Sequence, residues 1–428
     1  MKYRYRVLAL LFVLSIITFL DRVCLSVAGP RMQADLNISP EMWGWVVAVF
    51  AFSYGAFEIP TGALGDRIGA RKVLPRIVIW WSAFTCLTGA ATSYVYLLIV
   101  RFLFGAGEAG AYPNSSAAIS RWFPRVELAR AHSAIWVASR LGGALTPLLV
   151  VPIQARFDWR ASFYIFGLAG MVWAAVWYWW FRDRPSEMKG IPEQELRELE
   201  QLQPRGAHRP LPWRVALRSG NFWRILLMYH TFAYASFFYI SWLHTYMVKG
   251  RGFRESEMAL LSSLPFLFGA TGNLLGGFAG DFLVRRAGPR WGRSAIGAAG
   301  MTASALFTLS AAFSENRVTA VVFLALGAGA ADFILPTCWA TCLDIGRKYA
   351  GSVTATMNTA GQIGSFFSGL LFGYIVKTTG SYDFPMIPIS CISLVSAMLW
   401  LGIDATQPLI PKDQQPEELA GRPAPTGA

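Results

Sequence analysis

The chain has 428 residues, 54% of them hydrophobic and only 15% charged, with a mean hydropathy of +0.40. A water-soluble domain carries about a quarter charged residues, so this composition excludes one and implies lipid-facing helices. The net charge of +13 falls in short basic clusters between apolar runs rather than in one stripe, which excludes a nucleic-acid surface and fits the basic loops of a membrane protein.

In chain order, Lys2, Arg4 and Arg6 precede an apolar run from Val7 to Leu20, which imitates a secretory leader. Asp21-Arg22 then follows instead of a small-residue cleavage site, so an uncleaved first span is expected. A crossing needs about 20 mostly apolar residues. On that measure the spans are 7–28, 43–64, 73–93, 95–121, 131–154 and 160–181, then 222–249, 258–283, 293–313, 317–343, 349–376 and 382–403. The expected fold is an all-α membrane protein with twelve transmembrane helices in two six-helix pseudo-symmetric halves. The expected division is 1–181, a polar central loop 182–221, 222–404, and a Pro-rich disordered tail 405–428. With the termini inside, 26 of the 38 Lys and Arg fall on the cytoplasmic side, 8 outside and 4 within spans. This bias predicts cytoplasmic termini and central loop, in a cell inner (plasma) membrane.

No catalytic chemistry is legible. The cysteines Cys24, Cys86, Cys338, Cys342 and Cys391 lie in apolar segments without metal-ligand company. There is no phosphate-binding Gly-rich Lys loop and no nucleophile with a base partner. An enzyme is therefore not expected, nor a cofactor, a metal or a nucleic-acid partner.

The two halves echo each other. Gly62 through Lys72 joins the second and third spans, and Gly277 through Arg286 joins the eighth and ninth; each has Gly, three residues, Asp, then basic residues. A repeat between six-helix halves marks a transporter with its site at the interface. Gly62-x3-Asp66-Arg67-x-Gly69-x-Arg71-Lys72 resembles the loop signature of the major facilitator superfamily. Asp21-Arg22, Arg101-x3-Gly105-x2-Glu108 with Pro113, Trp122-Phe123-Pro124, Glu127-x2-Arg130, Trp242-x3-Tyr246, the run Asp344–Gly351, and Asn358 with Gly361 are similar to the anion:cation symporter family. The resemblance implies alternating access and, for bacterial members, proton-driven import of sugar acids. Two positions depart from that pattern: Phe19, where a Tyr is common, and Arg140, where sugar-acid carriers often have a neutral polar side chain.

Ionisable side chains within a membrane are costly unless paired, so each needs a reason. Arg22 is expected to bind a substrate carboxylate with its planar fork, with Tyr54, Arg140, Asn358 and Gln362 as further substrate contacts. Asp21 and Glu108 are expected proton sites. Arg101, seven residues before Glu108 and on the same helical face, would influence it. A static ion pair is the alternative for Glu108, structural pairing for Asp21, and a salt bridge to Glu58 or Asp332 for Arg140. Gly62, Asp66, Arg67, Gly69, Arg71 and Glu58 are expected to gate conformational change. Asp332 would pair with Arg140 or receive substrate hydroxyls, and Trp242 is a further substrate or coupling candidate. His230 and His244 lack metal-ligand spacing.

The function these features predict is proton-coupled uptake of a small organic anion, a sugar acid (hexonate, hexarate or hexuronate) first, by a monomer in the bilayer. The rivals are a proton-antiporting exporter of a metabolite or drug, and a transport-dead nutrient receptor.

Overall fold

The computed structural model describes residues 2–200 and 212–409. Residues 201–211 of the central loop and the tail from 410 on lie outside the described residues, as do the side chains of Asp66 and Arg67.

All twelve expected spans lie on helices. They are α1 (Tyr3–Asp35), α2 (Pro40–Ile68), α3 (Ala70–Gly89), α4 (Tyr94–Glu108) continued by α5 (Ala111–Trp122), α6 (Arg125–Arg156) and α7 (Trp159–Trp180). The central segment adds two short helices, α8 (Glu193–Glu200) and α9 (Trp213–Ala216). After it come α10 (Gly220–Ser241), α11 (Leu243–Thr245), α12 (Glu255–Leu261), α13 (Leu264–Ala312), α14 (Arg317–Asp332), α15 (Leu335–Gly346), α16 (Ala350–Thr379) and α17 (Met386–Leu401). By length and hydropathy alone, seven helical stretches, some of them broken by a short turn, are long and apolar enough to cross a membrane, among the described residues. One of them, Glu255–Ala312, has 58 residues, about 87 Å of helix and more than one crossing needs.

The expected eighth and ninth spans are therefore not separated by a loop. They are two arms of α13 joined at Gly288, whose φ of 76° and ψ of 168° are not helical. Gly69 between α2 and α3 repeats this conformation, with φ 83° and ψ 151°. A Cβ is strained at such φ, so the same glycine turn serves the same junction in both halves, and Pro289 then starts the next helical arm. Elsewhere helix starts are marked by side chains: Ser93, Asp158, Ser219 and Asn316 each accept from an amide of the first turn, satisfying donors that have no intrahelical partner.

Lipid tails are as apolar as leucine, so burial of apolar area does not by itself hold these helices together; close packing does. Gly272 and Gly276 of α13 abut the carbonyls of Gly329 and Phe333, where any Cβ would clash. One apolar cluster includes Val7, Leu74, Trp81, Trp122 and Trp177 from the first half, and another Phe222, Met301, Cys338 and Trp400 from the second. A third crosses between them through Val23, Trp43, Phe163, Trp242 and Phe372.

The central segment, read from sequence only as a polar loop, is partly ordered against the first half. The amides of Tyr3 and Arg4 donate to the Glu195 carboxylate of α8 at 2.9 and 3.1 Å. Glu198 pairs with Lys2 and Arg4 at 2.8 and 3.1 Å, and Arg4 also reaches Glu127 of α6 at 3.1 Å. An acidic helix thus caps α1 from outside it.

Candidate functional site

Adjacent residues on a helix diverge by about 100°, and α1 uses this to send Asp21 and Arg22 to different neighbours. Asp21 is buried and accepts from the Trp81 indole of α3 at 3.1 Å, its other carboxylate oxygen having no partner among the described residues. Arg22 donates from Nε to Glu108 of α4 at 2.7 Å. Glu108 is fully buried, and both Glu108 Oε2 and Arg22 Nη2 are buried without partners among the described residues. The Arg22 guanidinium also lies 4.8 Å from the Tyr54 ring and 5.3 Å from that of Phe50. Arg101 is buried about two turns before Glu108 on α4, over Phe104 at 4.5 Å and Phe50 at 4.9 Å. It makes no ion pair among the described residues, and its Nε has no partner. The ion-pair partner of Glu108 is thus Arg22, 86 residues away along the chain, rather than Arg101 on its own helix.

These two arginines line one cleft with Leu25, Ser26, Val47, Phe50, Phe237, Ile240 and Ser241. It lies between α1, α2 and α4 of the first half and α10 of the second. Ser26 Oγ is 3.1 Å from the Ser241 carbonyl and 2.8 Å from His244 Nδ1, so one buried hydroxyl ties the halves together.

The remaining expected site residues lie away from this cavity. Arg140 holds Asp332 through two contacts of 2.6 and 2.7 Å, joining α6 to α14, so of its two expected partners the structure gives it Asp332 and not Glu58. Glu58 instead accepts from Asn358 Nδ2 at 2.5 Å, joining α2 to α16. Gln362 packs against Gly55, and Trp242 donates to the Gly369 carbonyl at 3.1 Å while stacking on Phe372. In this arrangement the side chains of Arg140, Asn358 and Trp242 are therefore engaged with protein partners rather than with the cavity. In the loop motif, Gly62 faces Pro113 of α5, and the Arg71 amide donates to Asp183 Oδ1 at 3.1 Å, which also accepts from Arg121 at 3.2 Å. Asp183 sits over Gly69 and was not anticipated from sequence.

Residues 11–369 match the Major Facilitator Superfamily. The chain belongs to that superfamily. A probable sulfoacetate transporter of Cupriavidus necator is 32% identical over 98% of this chain and 97% of its own. A probable L-galactonate transporter of Escherichia coli is 29% identical (92% and 87% covered), and a hexuronate transporter of Bacillus subtilis 29% (89% and 90%). The solved structure of a bacterial homolog of the human lysosomal transporter Spinster superposes with a TM-score of 0.74 at 19% identity, over 94% of this chain and 97% of that one. The protein is a multi-pass membrane transporter and not an enzyme.

This Major Facilitator Superfamily member is also cross-linked by charge at the end away from its termini. Arg31 of α1 holds both oxygens of Glu255 of α12 at 2.6 to 3.0 Å and donates to the Gln154 carbonyl. Lys377 of α16 pairs with Glu41 of α2, and Lys249 donates to Gln33 at 3.0 Å. Near the opposite end, Trp136 and Trp339 meet across the halves at 5.8 Å. Sequence reasoning missed these pairs because they join residues outside the apolar core of the spans, where a charge needs no partner.

Proposed function

We propose that the protein carries a small organic anion into the cell together with protons, by alternating access between residues 1–181 and 222–404. The observation that carries this reading is the Arg22–Glu108 pair, a cation held by a buried carboxylate at the wall of a cavity between the halves. An anion that takes Arg22 must displace Glu108, and a proton on Glu108 releases Arg22, so cargo and proton arrive together. Asp21, buried with one free oxygen, is the second proton site, and Arg101 biases both acids. Relatives named for sulfoacetate, L-galactonate and hexuronate all carry anions, which supports the class of cargo, and sugar acids remain within it.

Arg140 with Asp332, and Glu58 with Asn358, are assigned to contacts between the halves that open and close in the cycle. The loop motif of Gly62, Asp66, Arg67, Gly69 and Arg71 is assigned to the switch between states, and the basic-residue bias supports an inner membrane location with both termini inside. The test is Arg22→Ala in proteoliposomes. Losing a buried charge-assisted contact costs roughly 2–5 kcal/mol, so anion binding and every transport mode should fail together. Binding of the anion as tight as in the parent protein would remove Arg22 from the site.

A further inference from the structure

Resting on that reading of the cavity, we infer that the preferred cargo is a compact dianion without hydroxyl groups, a short dicarboxylate or sulfocarboxylate, taken up with two protons.

The first line of argument is the hydrogen-bond character of the wall. Five of the nine lining residues, Leu25, Val47, Phe50, Phe237 and Ile240, are apolar. Of the polar four, Ser241 Oγ donates to the Phe237 carbonyl at 2.7 Å, and Ser26 Oγ is held by the Ser241 carbonyl and His244. Among the lining residues what stays unspent is donor capacity on Arg22 Nη2 and Arg101 Nε; the free oxygens of Asp21 and Glu108 behind them belong to the two acids that take protons in the loaded state. A wall that donates and offers few acceptors suits a ligand whose polar atoms all accept, which is true of carboxylate and sulfonate oxygens. Each sugar hydroxyl would bring a donor needing an acceptor, and a buried donor left unpaired is costly. The side chains that could have supplied amide acceptors are elsewhere: Asn358 is on Glu58 and Gln362 against Gly55.

The second line is charge. The charged groups facing one another here are Asp21 and Arg22 of α1 with Arg101 and Glu108 of α4; Tyr54 of α2 and Tyr112 of α5 also face Arg22, Glu58 of α2 acts on Arg22 while held by Asn358 outside the cluster, and Trp81 faces Asp21. With both acids ionised the four charges cancel, and an arriving dianion would be uncompensated. With both acids protonated, two guanidiniums remain and a dianion balances them. The loaded site is then neutral, and the complete step moves no net charge across the membrane.

The experiment uses the full chain in proteoliposomes with labelled sulfoacetate as the probe. Sulfoacetate should accumulate under an inward proton gradient, at a rate unchanged when a potassium–valinomycin clamp makes the interior negative. Unlabelled succinate should compete. Hexarate, a dianion bearing hydroxyls, and acetate, a hydroxyl-free monoanion, should each compete at least about tenfold less well. In Arg101→Gln the advantage of sulfoacetate over acetate should vanish. Hexarate or a hexonate competing as well as sulfoacetate overturns the inference while leaving organic-anion transport standing, and so does uptake that speeds up with negative potential. Uptake of none of these anions by correctly folded protein would overturn the underlying reading as well.

Discussion

Glu108→Gln separates cargo binding from energy coupling and has a magnitude that can be worked out. Glu108 is fully buried and the Arg22 side chain is 13% exposed, with Nε at 2.7 Å from Oε1. Charge centres about 4 Å apart at an effective dielectric near 20 attract by about 4 kcal/mol. Glutamine keeps the shape and one neutral hydrogen bond, worth about 1 kcal/mol, so the empty protein should lose about 3 kcal/mol, in line with breaking a buried pair. An anion in the cavity restores the missing charge on Arg22. With about 1.4 kcal/mol per tenfold, affinity for the cargo should rise between about tenfold and a hundredfold. Accumulation driven by a proton gradient should fall sharply, because one of the two titrating groups is gone and only Asp21 is left, whereas exchange of labelled for unlabelled cargo should persist. Equilibrium binding and the two uptake modes in proteoliposomes measure all three. Proton-driven accumulation as high as in the parent protein, or affinity no higher than that of the parent protein, would refute the competition between Glu108 and cargo for Arg22.

The charge-paired end away from the termini can be tested with Glu255→Gln. Its pair with Arg31 is about one-third exposed, so its loss costs only about 1 kcal/mol and should raise the population open at that end about fivefold, read by reactivity of a cysteine placed nearby; unchanged reactivity would remove the pair from the gate. Gly373→Val puts a branched side chain where a Cβ already collides with the Pro40 carbonyl, so α2 and α16 should fail to close and uptake should drop to background while the protein still inserts. Retained uptake would mean that the close approach is dispensable. Lys2, chiefly, and Arg4 hold the Glu198 carboxyl below its ordinary range. A depressed carboxylate stabilises docking above that range, about pH 4.3, and loses the effect as pH falls through its lowered value. Protection of the Tyr3 and Arg4 amides, which donate to Glu195 of the docked helix and are measured against their intrinsic exchange rates, should therefore hold from neutral pH into the acid range and be lost only below the ordinary carboxylate range; loss already near neutral pH would contradict the clamp.

The helices were legible because apolar length needs no knowledge of neighbours. The joint at Gly288 was not, since a glycine followed by proline reads as a loop, and only its φ of 76° shows one residue turning between two helical arms. In the site, the residue types were legible from the cost of charge in a membrane, and their partners were not. Arg101 and Glu108 share a helix, which periodicity can see; Glu108 meets Arg22 across α1 and α4, which it cannot. Trp81 and Asp183 were invisible for a related reason: an indole or a loop acid becomes notable only once the group it serves, Asp21 or Gly69, is placed beside it; His244 was noticed, but not its partner Ser26.

The two glycine joints have a practical use in following motion by spectroscopy. Spin labels placed on one arm of α13 share a continuous helix, interrupted only at Gly288, so distances within that arm should hold constant and can serve as an internal ruler for each sample. Labels straddling Gly288 or Gly69 isolate bending at a single residue, and labels across α2 and α16 report whether the halves have parted. One set of doubly labelled proteins could thus distinguish rigid rocking of the halves from flexing within either one, with the calibration built into the chain.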